Sequence, residues 1–227
     1  MKNVSVLDFL TQLAANNSKE WMDANRTWYE EVKQAHLDNV AEILAGLSRY
    51  QPQFSDLRPK DCVFRQNRDI RFSANKLPYK TNMAAYFAIG GKKSVGPGYY
   101  LHLQPGASFV GGGIYMPDAE TLKKIRQEID YSGKELESIL TAPQFRDFFG
   151  DMEGEKLKTS PRDYDKDHPF IGYLKYKSFI VSRPISDGDI QSGKTVVLAL
   201  AAFENMRPFF NFLERAVSAP EDEAFLL

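Results

Sequence analysis

Thr81-Asn82-Met83-Ala84-Ala85-Tyr86-Phe87-Ala88-Ile89, Gly98-Tyr99-Tyr100-Leu101-His102-Leu103-Gln104 and Ser108-Phe109-Val110-Gly111-Gly112-Gly113-Ile114-Tyr115 are three aromatic-rich runs of strand length. Gly90-Gly91, Gly96-Pro97-Gly98 and Pro105-Gly106 punctuate them. Alternating apolar residues between glycine and proline turns read as strands, and connections this short join antiparallel neighbours. The spacing therefore predicts an antiparallel meander over 82–89, 98–104 and 108–115.

Outward from this stretch the periodicity changes to that of helices. Upstream, Val6, Phe9, Leu10 and Leu13 recur at helical spacing, Asn16-Asn17-Ser18 supplies a stop and a new N-cap, and a long amphipathic helix is expected from about Thr27 to Tyr50. Downstream, Asp118 is expected to begin one helix and Ser132 to cap another. Short turns follow around Phe145–Phe149 and 169–176, then a strand over 178–185. A last helix runs from about Gln191 to Val217 with Pro208 inside it. Strands grouped mid-chain between helices indicate an α+β fold, a central antiparallel sheet flanked by N-terminal and C-terminal helices. With no internal repeat and no long linker, residues 1–227 are expected to form a single domain.

Composition narrows the function classes. Of 227 residues 43% are apolar and 26% charged, so disorder and low-complexity scaffolds are excluded. Lysine plus arginine number 29 against 30 acids, a net charge of -1, so the surface as a whole is no polyanion-binding field. The single cysteine, Cys62, excludes an internal disulfide framework and is expected as a small core residue at a strand start. The first residues do not read as a signal peptide, and no window approaches 18 consecutive apolar residues, so a cytoplasmic protein without a membrane partner is expected.

Several motif matches fail in context. Gly188 to Thr195 fits the phosphate-loop pattern G-x-x-x-x-G-K-T, but only 32 residues follow and they read as one helix. Asp187 and Asp189 would also set negative charge beside the phosphates, so a polar turn is expected. Asp163, Asp165 and Asp167 imitate a calcium loop in which His168 and Leu174 stand where glycine and glutamate belong. His36, His102 and His168 are far apart and are expected to be satisfied or surface histidines. No metal site and no cofactor follow from these residues.

One patch stands apart. From Arg58 to Asn82 seven cations, Arg58, Lys60, Arg65, Arg68, Arg71, Lys76 and Lys80, face two acids, Asp61 and Asp69, a balance of +5 in 25 residues. The remaining 202 residues hold 22 cations and 28 acids, so the positive charge is segregated. Arg65, Arg68 and Arg71 recur every three residues, and converging guanidinium groups need an anion or carboxylates to offset their repulsion.

The run from Arg65 to Lys80, Arg65-Gln66-Asn67-Arg68-Asp69-Ile70-Arg71-Phe72-Ser73-Ala74-Asn75-Lys76-Leu77-Pro78-Tyr79-Lys80, resembles the signature R-x-x-R-D-x-R-F-x-x-x-[DN]-K-x-x-Y of a family named domain of unknown function 2461. Phe9-Leu10 through Asn16-Asn17 to Trp21 and Tyr29 is similar too, as are Gly98 to His102, Gly112 to Pro117 and the strand from Leu174 to Pro184. Asn75 and Leu77 stand where family members commonly carry aspartate and threonine. The resemblance implies a single-domain, mostly bacterial protein and brings no substrate with it.

Two readings of the patch remain open. As a pocket, Arg65, Arg68 and Arg71 are bidentate donors, Lys76 and Lys80 point charges, Tyr79 a hydrogen-bonding wall, and Asp69 orients one arginine. In that reading Phe72 anchors the loop in the core while Arg71 points into a concave basic site. As internal glue, the arginines reach carboxylates such as Asp23, Glu30 or Asp118 and buried carbonyls. Binding of a small anionic ligand, phosphate-bearing or nucleotide-like, is the preferred function. The alternatives are a nucleic-acid-binding module, with Phe72, Tyr79, Tyr86, Phe87, Tyr99 and Tyr100 as stacking rings, or a protein-interaction module with a structural ion-pair network. Nucleic acid is disfavoured by the net charge and by the expectation that strand aromatics are core, and catalysis by the lack of an acid, base or metal set.

Overall fold

The computed structural model describes residues 5–218. At the N-terminal end, Ser5 accepts the Asp8 amide and so caps α1 (Val6–Ala15). Ser18 does the same for α2 (Lys19–Ala24), and α3 (Arg26–Ser48) follows. A single 3-10 turn (Pro52–Asp56) leads to the short α4 (Pro59–Cys62). The strands β1 (Met83–Ala88), β2 (Gly98–Leu103) and β3 (Phe109–Ile114) sit within the expected runs, followed by α5 (Ala119–Thr141), α6 (Pro143–Phe149) and α7 (Ile171–Leu174). The chain then forms β4 (Phe179–Pro184), α8 (Asp187–Gln191) and α9 (Thr195–Ser218).

The four strands make one antiparallel sheet in the order β1-β2-β3-β4, so the fold is α+β. Tyr99, Leu101 and Leu103 on β2 are buried while Tyr100 and His102 are half-buried, the two-residue alternation of a sheet with one core face. By the density of their contacts the residues group into two units, each taken by itself. One comprises residues 5–92, 100–110 and 184–201; the other comprises residues 93–99, 111–183 and 202–218.

In the first unit, Phe9 of α1 meets the Trp21 and Trp28 rings at 5.8 and 5.3 Å between centroids, which fixes the corner of the N-terminal helices. The Leu200 side chain lies so close to Gly46 of α3 that an added Cβ would stand 2.5 Å from it. His36, on the buried face of α3, is 4% exposed, and neither ring nitrogen has a hydrogen-bond partner. It is therefore not the satisfied or surface histidine that the sequence suggested. Cys62 is buried as expected, but it closes α4 and does not open a strand; burial pushes its thiol up to about 11.

In the second unit, Tyr99 stacks on Phe210 of α9 at 4.5 Å and lies 4.7 Å from Phe203. Each such buried ring contributes about 2 to 3 kcal/mol of transfer free energy. Gly113 adopts φ +118, and an added Cβ there would run into the Phe179 carbonyl of β4, so no side chain fits. Asp118 caps α5 through the Thr121 amide (2.8 Å), and the helix breaks at Ser132, where a second helical segment was expected to start. The last helix begins at Thr195, later than Gln191, because Gln191 closes the separate α8 and Gly193 turns at φ +78 between them. α9 has the length and mean hydropathy of a membrane-crossing helix, yet its Phe203, Met206, Phe209, Phe210 and Leu213 are buried in the protein.

Candidate functional site

The basic stretch forms a hairpin on the free edge of the sheet. Val63 bridges Ala85 antiparallel, and the Phe64 amide donates to the Ala84 carbonyl (3.2 Å), so the chain enters the hairpin as an added edge partner of β1. The stem is held by Arg68 N to Pro78 O and Lys80 N to Gln66 O, each 2.9 Å, around the Asn67–Tyr79 bridge. Two polar side chains fix this stem. Asn17, at the α1–α2 corner, donates to the Tyr79 carbonyl and accepts its amide, both at 3.0 Å. Buried Gln66 donates to the carbonyls of Lys80 and Asn82. Tyr79 is thereby packed into the protein and offers no open wall.

The three arginines have separate fates. Arg71 forks onto Asp69 through Nε (3.0 Å) and Nη2 (2.7 Å), and its side chain is 75% exposed, so it lines no concave site. Those bonds, and then the charge of Arg65, hold the Asp69 carboxyl below the usual carboxylate range. Arg68 donates to the Leu77 carbonyl (3.2 Å) and to the Ser73 hydroxyl (3.4 Å), closing the loop internally, and Lys76 reaches the Ile70 carbonyl (3.0 Å). The expected carboxylate partners serve elsewhere: Asp23 pairs with Arg26, Glu30 with Lys33, and Asp118 caps α5. Phe72 does not anchor the loop in the core. It is 95% exposed at the hairpin tip, because the stem is already secured by Asn17 and Gln66 and the tip closes on its own polar groups.

Arg65, Lys80 and Lys92 form a second set of cations, none of them ion-paired among the described residues. Lys80 and Lys92 hold their ammonium groups 5.3 and 5.4 Å from the centroid of the Phe64 ring, itself 41% exposed. Lys92 also donates to the Val63 carbonyl (2.7 Å). Burial, then the charges of Arg65 and Lys92, hold the Lys80 amine below its ordinary value. Among the described residues no carboxylate lies within ion-pair distance of Arg65, Lys80 or Lys92. Beside them Phe64 meets Tyr100 edge-on at 6.4 Å, and the Tyr100 hydroxyl, His102 and Gln104 are joined in a chain of hydrogen bonds (3.2 and 3.0 Å). Sequence reasoning missed Phe64 and Lys92. Lys92 lies outside the charge-rich window and enters the site only through the β1 hairpin turn.

The residues of the remaining motif matches are engaged in local contacts. Lys194 is tied to Asp189 (3.0 Å), and Asp187 accepts the Gly106 amide (3.0 Å), so acids crowd the segment that spells a phosphate loop. His168 bonds Asp130 (2.9 Å). Among the described residues no group of three or more histidine, cysteine or acidic side chains is placed to hold a metal ion.

No curated protein and no solved structure matches this chain. A family model does, from residue 5 to residue 212, and spans both the hairpin and the sheet that carries it. The chain therefore belongs to the family described as Conserved hypothetical protein (DUF2461).

Proposed function

We propose that this protein binds a small phosphate-bearing anion between Arg65, Lys80 and Lys92. The observation that carries this reading is the pair of Lys80 and Lys92 ammonium groups over Phe64, with the Arg65 charge acting on Lys80 and burial holding the Lys80 amine below its ordinary value, while none of the three cations is ion-paired among the described residues. Such an arrangement is self-repelling until a charge of opposite sign enters, and phosphate oxygens accept from guanidinium and ammonium donors together. Arg68, Asp69, Arg71, Lys76 and Tyr79 serve the site by shaping the hairpin, with Arg71 adding exposed charge at its tip.

A thermal-shift series with inorganic phosphate, pyrophosphate and ribose 5-phosphate tests this against chloride at equal ionic strength. A ligand at about 100 times its Kd adds about 2.7 kcal/mol, which raises Tm by roughly 5 to 11 °C for a chain of this size. The Lys80→Ala protein should fold and lose that shift. Phosphate compounds that stabilise the protein no more than chloride does would refute the proposal.

A further inference from the structure

The same hairpin repeats one chemical arrangement at its two ends. At the stem, the half-exposed Phe64 ring has the ammonium groups of Lys80 and Lys92 over it at 5.3 and 5.4 Å. At the tip, the Phe72 ring has the Arg71 guanidinium over it at 5.7 Å. The tip is not a slack loop. Arg68 to Leu77 and Ser73, Lys76 to Ile70, and Leu77 N to Asn75 Oδ1 (2.9 Å) hold it from within. A large apolar ring is thus kept in water by a built scaffold, with cations beside it.

We infer that the hairpin from Phe64 to Lys80 is a docking element for single-stranded nucleic acid, with one base stacking on Phe64, another on Phe72, and the phosphates between them meeting Arg65, Arg71, Lys80 and Lys92. This rests on the phosphate reading above and names the polymer that supplies the phosphate. A ligand that answers both ends must itself repeat an aromatic face and an anion, which is the chemistry of an unpaired strand. A duplex hides its base faces and offers only phosphate. A lipid surface has a use for Phe72 at the tip but none for Phe64, which lies against the sheet edge beside Tyr100. The aromatic residues Phe87 and Tyr99 are indeed core, so the stacking rings are not those on the buried sheet face. The net charge of -1 does not oppose the inference either, because positive charge is segregated in this stretch: of the four cations only Arg71 is ion-paired among the described residues, with Asp69.

The test is fluorescence anisotropy of labelled oligothymidylate and oligouridylate of increasing length, beside a duplex and anionic phosphatidylserine vesicles, on wild type, Phe72→Ala, Phe64→Leu and Lys80→Ala. Phe72 is solvent-exposed and Phe64→Leu keeps apolar bulk, so both variants should fold. The expected result is affinity that climbs with strand length and falls roughly 5- to 100-fold in each phenylalanine variant. Phosphate-ester binding should be unchanged in Phe72→Ala, and the logarithmic salt slope should drop by about 0.7 in Lys80→Ala. Comparison of the two oligomers tells DNA from RNA as the preferred source. Binding that is flat with length and indifferent to Phe72 overturns the strand inference while leaving the phosphate site intact, and duplex or vesicles bound as tightly as single strands overturn it too. Failure of oligomers and phosphate esters alike removes both proposals.

Discussion

His36 provides a stability switch that can be worked out in advance. Its imidazole is buried in α3 without a well-formed hydrogen bond at either nitrogen, and burial lowers its pKa from 6.5 to about 4, with a weak approach to the Ala84 backbone acting in the opposite sense. The unfolded chain therefore binds a proton more readily than the folded one between those two values, and stability must rise with pH across that window. Lowering the imidazole pKa from 6.5 to about 4 corresponds to about 3 kcal/mol of stability, fully present above pH 6.5 and lost progressively as pH falls to 4. His36→Leu should flatten this limb. It should also raise stability at neutral pH by about 1 kcal/mol, since it replaces unbonded buried nitrogens by apolar atoms of similar bulk. Urea unfolding of both proteins at several pH values reads the difference. Asp61, Asp69, Asp118 and Asp189, whose carboxyls all lie below their ordinary value, lose their pairing only under more acidic conditions, and Glu214, raised by burial, acts in the opposite direction. Parallel pH profiles of wild type and His36→Leu between pH 6.5 and 4 would refute the reasoning.

Three further outcomes are expected. Asn17→Ala orphans the Tyr79 amide and should cost about 1 to 3 kcal/mol, with faster hydrogen exchange at that amide and weaker phosphate binding. Arg71→Ala breaks an exposed pair and should leave the denaturation curve of the ligand-free protein unchanged; a large loss would mean that the guanidinium holds a structural network after all. Lys194→Ala should bind ATP with magnesium no differently from wild type in an isothermal titration, because Lys194 is engaged by Asp189 and no nucleotide-binding sheet follows it; selective loss of binding would restore the phosphate-loop match.

The meander was legible because its signal is local: aromatic runs and glycine-proline turns fix three neighbouring strands without reference to anything distant. The caps at Ser18 and Asp118 and the break at Ser132 were legible for the same reason, each lying within a turn of the helix it serves. The basic hairpin was legible as charge but not as shape. Phe72 is left in water because Asn17, 62 positions before Tyr79, and buried Gln66 secure the stem, and no periodicity records such partners. Arg71 was lost to its neighbour Asp69, a competition that spacing alone decides for neither the pocket nor the glue. Lys92 joins Phe64 from 29 positions beyond Val63, through the β1 edge that brings them together.

Cys62 has a practical consequence for experiments on this protein. A thiol sealed at the end of α4, with its pKa pushed up to about 11, stays protonated and out of reach of maleimides at neutral pH, and the chain has no other cysteine. A cysteine placed at an exposed tip position such as Ala74 is then the single reactive group on the molecule. It can carry one dye or spin label beside Phe72 without any prior cysteine removal, so the hairpin can report its own occupancy in solution.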